Sequence, residues 1–413
     1  MTSPSSAGQA PAVPAMLSRD YLLMFAGLFA FMMNLSLFFL LPYFLELRGV
    51  SKGYYGAVAG TIGLAGMATL ALAGRFGDHF RRKVSVNLLM TPGLAGSLLA
   101  WWAADQDPAW YFLVRACHGV SLALAFPLIF TWAVDISPSS RRTEAVAYLG
   151  IAGLIANSLG VVLGESLVAA QGLGNRPEAY RLVFLAAALL ATAAQMFFLL
   201  VRSKGGKNEE AGSGGGLLEL LAGTQPRLVL AVTLCFGGVF GVVTSFGKNY
   251  TMALGLTVAG TIYMAHTTGA LFSRAFIRPL MHRVPPGRLI RLGLGGLGLS
   301  QLLLAGAAGY PLLAASGLVY GLSHGVLYPM LNVRFFSMFS TARLGRAAIL
   351  YMGAFTAGTG LFPLLGGLLL EWSGFRVLFA SAALLALVAL ILNQRVTHGA
   401  DELPTSSPAD PLA

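Results

Sequence analysis

The sequence predicts an all-α membrane protein of twelve transmembrane helices arranged as two six-helix halves. Three observations carry this reading. Hydrophobic residues make up 56% of the 413 residues and charged residues only 10%; the apolar residues fall into long runs; and the runs repeat on either side of one long polar break. A soluble chain carries roughly 25% charged residues, so an ordinary soluble enzyme is excluded. Backbone amides in lipid must be satisfied within their own segment, and the runs are too long and uniformly apolar for barrel strands, which leaves helices.

A hydrocarbon layer of about 30 Å takes about 20 helical residues. Residues 1–20 are rich in Pro, Ser and Ala and read as a cytoplasmic tail. Spans follow at 21–44, 53–76, 85–104, 109–134, 145–169 and 179–201, an N-terminal half covering 21–201. The first run exceeds the roughly 7 to 15 residues of a signal-peptide core and is expected to stay in the protein. Residues 202–227 hold Lys204, Lys207, Glu209, Glu210 and the run Gly212 to Gly216, the composition of a flexible cytoplasmic linker. Its apolar patch, Leu217 to Leu221, suits the membrane surface. The C-terminal half, 228–394, has spans at 228–250, 257–280, 287–308, 311–335, 346–370 and 374–394, and 395–413 form a second cytoplasmic tail.

The formal charge of +11 is explained by position. Of 27 Lys and Arg, 20 fall in one alternate set of loops and tails, 6 in the other, and Arg115 lies inside a span. This positive-inside bias puts both termini in the cytoplasm and the chain in a bacterial inner membrane. The expected partners are the bilayer, a small-molecule substrate and protons, with no nucleic acid, and the chain is expected to be a monomer. Cys117 and Cys235 sit in apolar runs as small buried side chains, and no zinc, haem or iron–sulfur spacing exists, so neither metal nor cofactor is expected.

The halves repeat. His118-Gly119-Val120 recurs as His324-Gly325-Val326 and Gly49-Val50-Ser51 as Gly255-Leu256-Thr257, both at an offset of 206; Tyr148 and Gly150 match Tyr351 and Gly353 at 203. Repeated six-helix halves are how many secondary transporters build a central site that opens to either side in turn.

The loop between spans 2 and 3 reads Gly74-Arg75-Phe76-Gly77-Asp78-His79-Phe80-Arg81-Arg82-Lys83. Here the chain resembles the major facilitator superfamily, whose signature in that loop is a Gly, an Asp four residues on and a basic pair soon after. Gly74, Asp78, Arg82 and Lys83 fit; His79 replaces the usual basic residue and Arg81 a customary Gly. Arg115 with Gly119 in span 4 resembles the superfamily's second motif. Span 5 departs from the proton-antiporter pattern, with Val161 where a Pro is customary and a small-residue stripe of Gly150, Asn157, Gly160 and Gly164 that suits close helix packing. The resemblance implies a cavity lined by spans 1, 4, 7 and 10. It also implies a cytoplasmic gate in which Asp78, Arg82 and Asp135 form a charge relay near the start of span 11 at Arg346.

Ionisable groups within spans cost about 2.5 to 3.5 kcal/mol each on insertion scales, so each needs a partner or a wet cavity. Arg115 and Glu165 lie about 9 and 7 Å inside the same end of two consecutive antiparallel spans. They read as an ion pair, either fixing helix register or coupling a proton to an anionic substrate. His118, on the face of Arg115, is a proton relay or a wall residue. Asn34, His266, Tyr320, His324 and Asn332 complete a cavity of polar and positive character, while Lys248 either joins it or snorkels to the outer surface. No paired carboxylates, catalytic triad or phosphate-binding loop is present, so no enzyme is expected. The resulting expectation is a secondary transporter of a small anionic or zwitterionic organic solute, working by proton antiport as an efflux system. Proton-coupled uptake is the alternative, and a non-transporting receptor or scaffold the competitor from another class.

Overall fold

The computed structural model describes residues 17–79, 81–174, 176–202, 217–281, 283–340 and 343–396, without the side chains of 71–79, 217, 218, 278 and 345. Among the described residues every regular element is helical. The N-terminal half consists of α1 (Arg19–Leu47), α2 (Lys52–His79), α3 (Arg82–Trp102), α4 (Trp110–Ile136), α5 (Arg142–Ala170) and α6 (Tyr180–Leu200). The C-terminal half holds α7 (Thr224–Ala253), α8 (Gly260–Met281), α9 (Pro286–Ala305) and α10 (Tyr310–Phe336). It closes with a continuous helical stretch, Leu344–Gln394, broken at Gly374 into α11 (344–373) and α12 (375–394). Gly374 has φ 81° and ψ 173°, a conformation essentially confined to glycine, so one residue turns the chain between two spans. The glycine run of the linker and the tails fall outside the described residues, while Leu217–Leu221 forms a short 3-10 turn.

Within α1 the helix tightens to a 3-10 turn at Phe38–Leu40. Pro42, four residues after Phe38, has no N–H to give to its carbonyl. The ends of α1 and α7 confirm the repeat at the level of backbone geometry. Gly49 and Gly255 have φ of 77° and 73°, and each closes the helix with the same two bonds: Gly49 N–H to Glu46 O (2.9 Å) with Val50 N–H to Leu45 O (3.3 Å), and Gly255 N–H to Met252 O (2.9 Å) with Leu256 N–H to Thr251 O (3.1 Å). This is the left-handed glycine stop that satisfies the last carbonyls of a helix.

The end of the bundle carrying the 202–223 linker is called the linker face, and the opposite end the far face. Among the described residues the principal contacts between the halves are α2 with α11, α5 with α8, and the far ends of α1 and α7. α4 packs against α2 and α3, whereas α5 packs against α1 and α8. α4 and α5, although consecutive in sequence, are therefore poor neighbours in space, which decides how the buried charges pair.

Candidate functional site

A small cavity of about 10 Å³, room for a single water, lies between the halves. Phe39 of α1, Asn157 and Ser158 of α5, Phe240 of α7, Tyr263 and His266 of α8 and Tyr320 of α10 are among its walls. Phe39 and Tyr263 close it from opposite halves, their rings stacked 5.7 Å apart. Behind it, His266 Nε2 and His324 Nδ1 are 3.0 Å apart, and the Tyr320 ring lies 4.7 Å from that of His266. The Tyr320 hydroxyl is buried without a hydrogen-bond partner among the described residues. The structure thus unites three residues that sequence reading had placed separately on spans 8 and 10. Asn332, eight residues beyond His324 and about 12 Å along α10, is outside this cluster.

In the N-terminal half, Asn34 is fully buried and donates to Ser97 Oγ (2.8 Å) and to Ala187 O (2.7 Å). His118 Nε2 stands 3.0 Å from the same Ser97 hydroxyl, with its ring 4.3 Å from Phe38. Both side chains bind α1, α3, α4 and α6 together, so Asn34 belongs to the interior of its own half and not to the wall between halves. Arg115 lies 5.9 Å from the Phe38 ring, 6% exposed, and its Nε and Nη1 are buried with no hydrogen-bond partner among the described residues.

The expected pairing of Arg115 with Glu165 is not what forms. Glu165 Oε1 accepts from Lys248 Nζ at 2.7 Å and from Ala259 N–H at 2.8 Å, and its Oε2 accepts from Gly260 N–H at 2.9 Å. α5 directs Glu165 across the boundary between halves to α7 and α8, while α4 faces α2 and α3. Snorkelling of Lys248 is likewise overturned: its side chain is 4% exposed, also donates to Thr257 O at 3.2 Å, and lies 5.6 Å from the Tyr43 ring. Sequence reading missed Glu46, which accepts from Asn249 Nδ2 at 2.5 Å and joins the far ends of α1 and α7. It also missed Ser158 and Thr267, whose hydroxyls touch across α5 and α8 and donate to Tyr263 O (2.9 Å) and Leu154 O (3.0 Å). Single Ser, Thr and Asn residues in apolar runs carry no pattern that separates a bond between halves from one within a helix.

At the linker face Arg82 Nε pairs with Asp135 Oδ2 at 3.1 Å, joining the start of α3 to the end of α4. Lys83 Nζ donates to Val201 O at 2.6 Å, within the same half. Gly74 and Asp78 lie on the last turns of α2, where side chains are outside the described residues.

These features define a multi-pass membrane transporter. The sequence profile of the Major Facilitator Superfamily matches residues 23–310 and 249–411, and the chain belongs to that superfamily of small-solute transporters. No curated protein matches the sequence. Among solved structures, it is similar to a point variant of the nucleoside transporter NupG (16% identity, TM-score 0.75, covering 92% of this chain and 100% of that one). It is similar as well to a bacterial homologue of the human lysosomal transporter Spinster in an inward-facing, unoccupied conformation (12%, 0.75, 96% and 100%). A third similar structure is the human organic anion transporter MFSD10 (18%, 0.66, 91% and 99%). At these identities the likeness is one of fold.

Proposed function

We propose that the protein exports a small organic anion or zwitterion across a bacterial inner membrane in exchange for protons. It does so as a monomer, opening its two faces alternately, with the linker face and both termini in the cytoplasm. The observation that supports the substrate class is Arg115, a buried guanidinium with Nε and Nη1 unmatched while the carboxylate expected for it is engaged by Lys248. A buried cation without a counter-ion costs several kcal/mol. A carboxylate or phosphate group matches the guanidinium fork with two parallel hydrogen bonds, and a solute supplies that group. His266, His324 and Tyr320 wall the path on the other side.

Export is supported by an electrical argument, since an inside-negative potential drives an anion outward by about 2.3 kcal/mol per charge per 100 mV. Proton exchange rests on Glu165. As an ionised acceptor it holds Lys248 and two amides, with the Tyr263 and Tyr310 rings also near it. A proton taken up from the far side competes with those bonds, and closing that face expels it toward the other. The same pair favours a second reading, proton-coupled uptake, because neutralising Glu165 frees Lys248 to hold an anion and the two then bind together. At the linker face Asp78, Arg82 and Asp135, with Gly74 and Lys83 shaping the loop, form the opposing gate; the Arg82–Asp135 bond supports this assignment.

Flux from reconstituted vesicles, with imposed pH gradients of both polarities and a panel of organic acids, amino acids, neutral sugars and cations, tests the reading. An acidic exterior is expected to accelerate efflux of anionic or zwitterionic solutes, and Arg115→Gln to lower it at least about tenfold, as loss of a charge-assisted contact does. Accumulation under the same gradient would establish uptake instead, and undiminished flux through Arg115→Gln would remove the substrate assignment.

A further inference from the structure

The bonds made by Glu165 have a counterpart in the other half. Glu371, at the far end of α11, lies 206 residues after Glu165, the offset of the His118–His324 and Gly49–Gly255 repeats, three more than the offset of the Tyr148–Tyr351 match at the other end of the same two helices. Glu165 crosses from α5 to the first turn of α8, at Ala259 and Gly260. Glu371 crosses from α11 to the first turn of α2, where its Oε1 accepts from Gly53 N–H at 2.9 Å. Gly53 and Ala259 are themselves 206 apart. Both carboxylates satisfy amides that a helix leaves without partners in its first turn, and both put negative charge at the positive end of a helix dipole.

The neighbouring amides are capped from within each half. Tyr54 N–H donates to Ser51 Oγ at 3.2 Å, and Tyr310 Oη accepts from Thr257 and Val258 N–H at 3.0 and 3.1 Å. The carboxylate bonds, unlike these, span the boundary. Each also approaches a glycine closely: a Cβ on Gly53 would stand 3.0 Å from Glu371 Oε1, and one on Gly260 3.2 Å from Glu165 Oε2.

We propose that Glu165 and Glu371 are a pseudo-symmetric pair of clamps that hold the far face closed, each by capping the first turn of a helix in the opposite half. This rests on the alternating-access reading above and adds Glu371 as a gating residue that the family motifs quoted above do not mark. The clamps are unequal. Lys248 has no counterpart, because position 42 is Pro42. Glu165 therefore holds two amides and a buried ammonium group with its side chain 14% exposed, whereas Glu371 holds one amide and the Ser51 hydroxyl, with the Lys52 charge nearby, at an exposed position where water competes. Opening the far face breaks both, and the Glu165 clamp dominates.

The test uses the full chain with Cys117 and Cys235 replaced by Ser and spin labels at Gln106→Cys and Ala308→Cys, exposed far-face positions in opposite halves. Electron–electron resonance then reads the distance across the far face. Glu371→Gln is expected to raise the far-open fraction about threefold and Glu165→Gln about tenfold or more, with the double variant exceeding either. Gly53→Val, which pushes the Glu371 carboxylate away, is expected to act like Glu371→Gln. An unchanged distribution in Glu371→Gln and Gly53→Val overturns the pairing, and an unchanged one in Glu165→Gln overturns the dominant clamp. Should Glu165→Gln fail to fold, the surface variant Glu371→Gln carries the test. Solute flux measured on the same samples keeps the two readings apart: widening without flux in any variant counts against transport and leaves the clamps standing.

Discussion

The α2–α11 and α5–α8 contacts are related by the repeat, yet they are made of different chemistry. In the first, glycines bring backbone against backbone: a Cβ on Gly56 would stand 2.7 Å from Gly367 Cα, and Gly60 and Gly63 press directly on the Gly360 backbone. In the second, the position equivalent to Gly60 is His266, and side chains do the joining, through Ser158, Thr267 and Glu165, which caps the start of α8 while paired with Lys248 of α7. A backbone contact has no rotamer to adjust, so it tolerates rocking about a fixed line and little else. A contact of hydroxyls and charges comes apart bond by bond and re-forms with small rotations. One repeat thus supplies a stiff seam and a breakable one.

The largest effect that separates the two seams is steric. Gly63→Leu is expected to destabilise the protein by about 3 kcal/mol or more, because neither backbone is free to withdraw. Gly150→Ala in α5, where a Cβ would meet only the far end of the Arg274 side chain of α8 at 3.0 Å, is expected to stay within about 1 kcal/mol of the parent. Thermal unfolding in one detergent compares them, and similar losses at both sites would erase the distinction.

Next in size is the ion pair. Lys248→Met strands the Glu165 carboxylate at a position 14% exposed and is expected to cost about 3 kcal/mol. Adding Glu165→Gln should restore much of that loss, since the pair is then replaced rather than broken. A double-mutant cycle on unfolding midpoints measures the coupling, and additive losses would show that the two side chains do not act together.

The smallest effects belong to the hydroxyls. Ser158→Ala and Thr267→Val are each expected to cost about 1 kcal/mol. Because the two groups touch, the double variant should lose less than the sum of the singles. Strict additivity would assign their bonds to independent sites.

The sequence by itself determined the helices, their number and the two-fold repeat, because lipid admits few alternatives to long apolar helices and a repeated half leaves the same residues at a constant offset. The stops at Gly49 and Gly255 follow from that, as local geometry specified by local residues. Partners across the boundary between halves were not determined in this way. Counting residues along their spans puts Arg115 and Glu165 at one depth, but depth is one coordinate of three, and the direction in which each helix turns its face is set by which helices it packs on. Only the tertiary structure placed α5 against α8 and α4 against α2 and α3, and with that it gave Glu165 to Lys248 and left Arg115 Nε and Nη1 without a hydrogen-bond partner among the described residues. The gathering of His266, His324 and Tyr320 was decided in the same way, by the packing of α8 on α10. An apolar run states that a helix is buried in lipid or protein; it carries no signal for which of its faces meets which neighbour, because a helix packed by glycine and small side chains rotates its polar residues to wherever a donor or acceptor from another segment happens to stand.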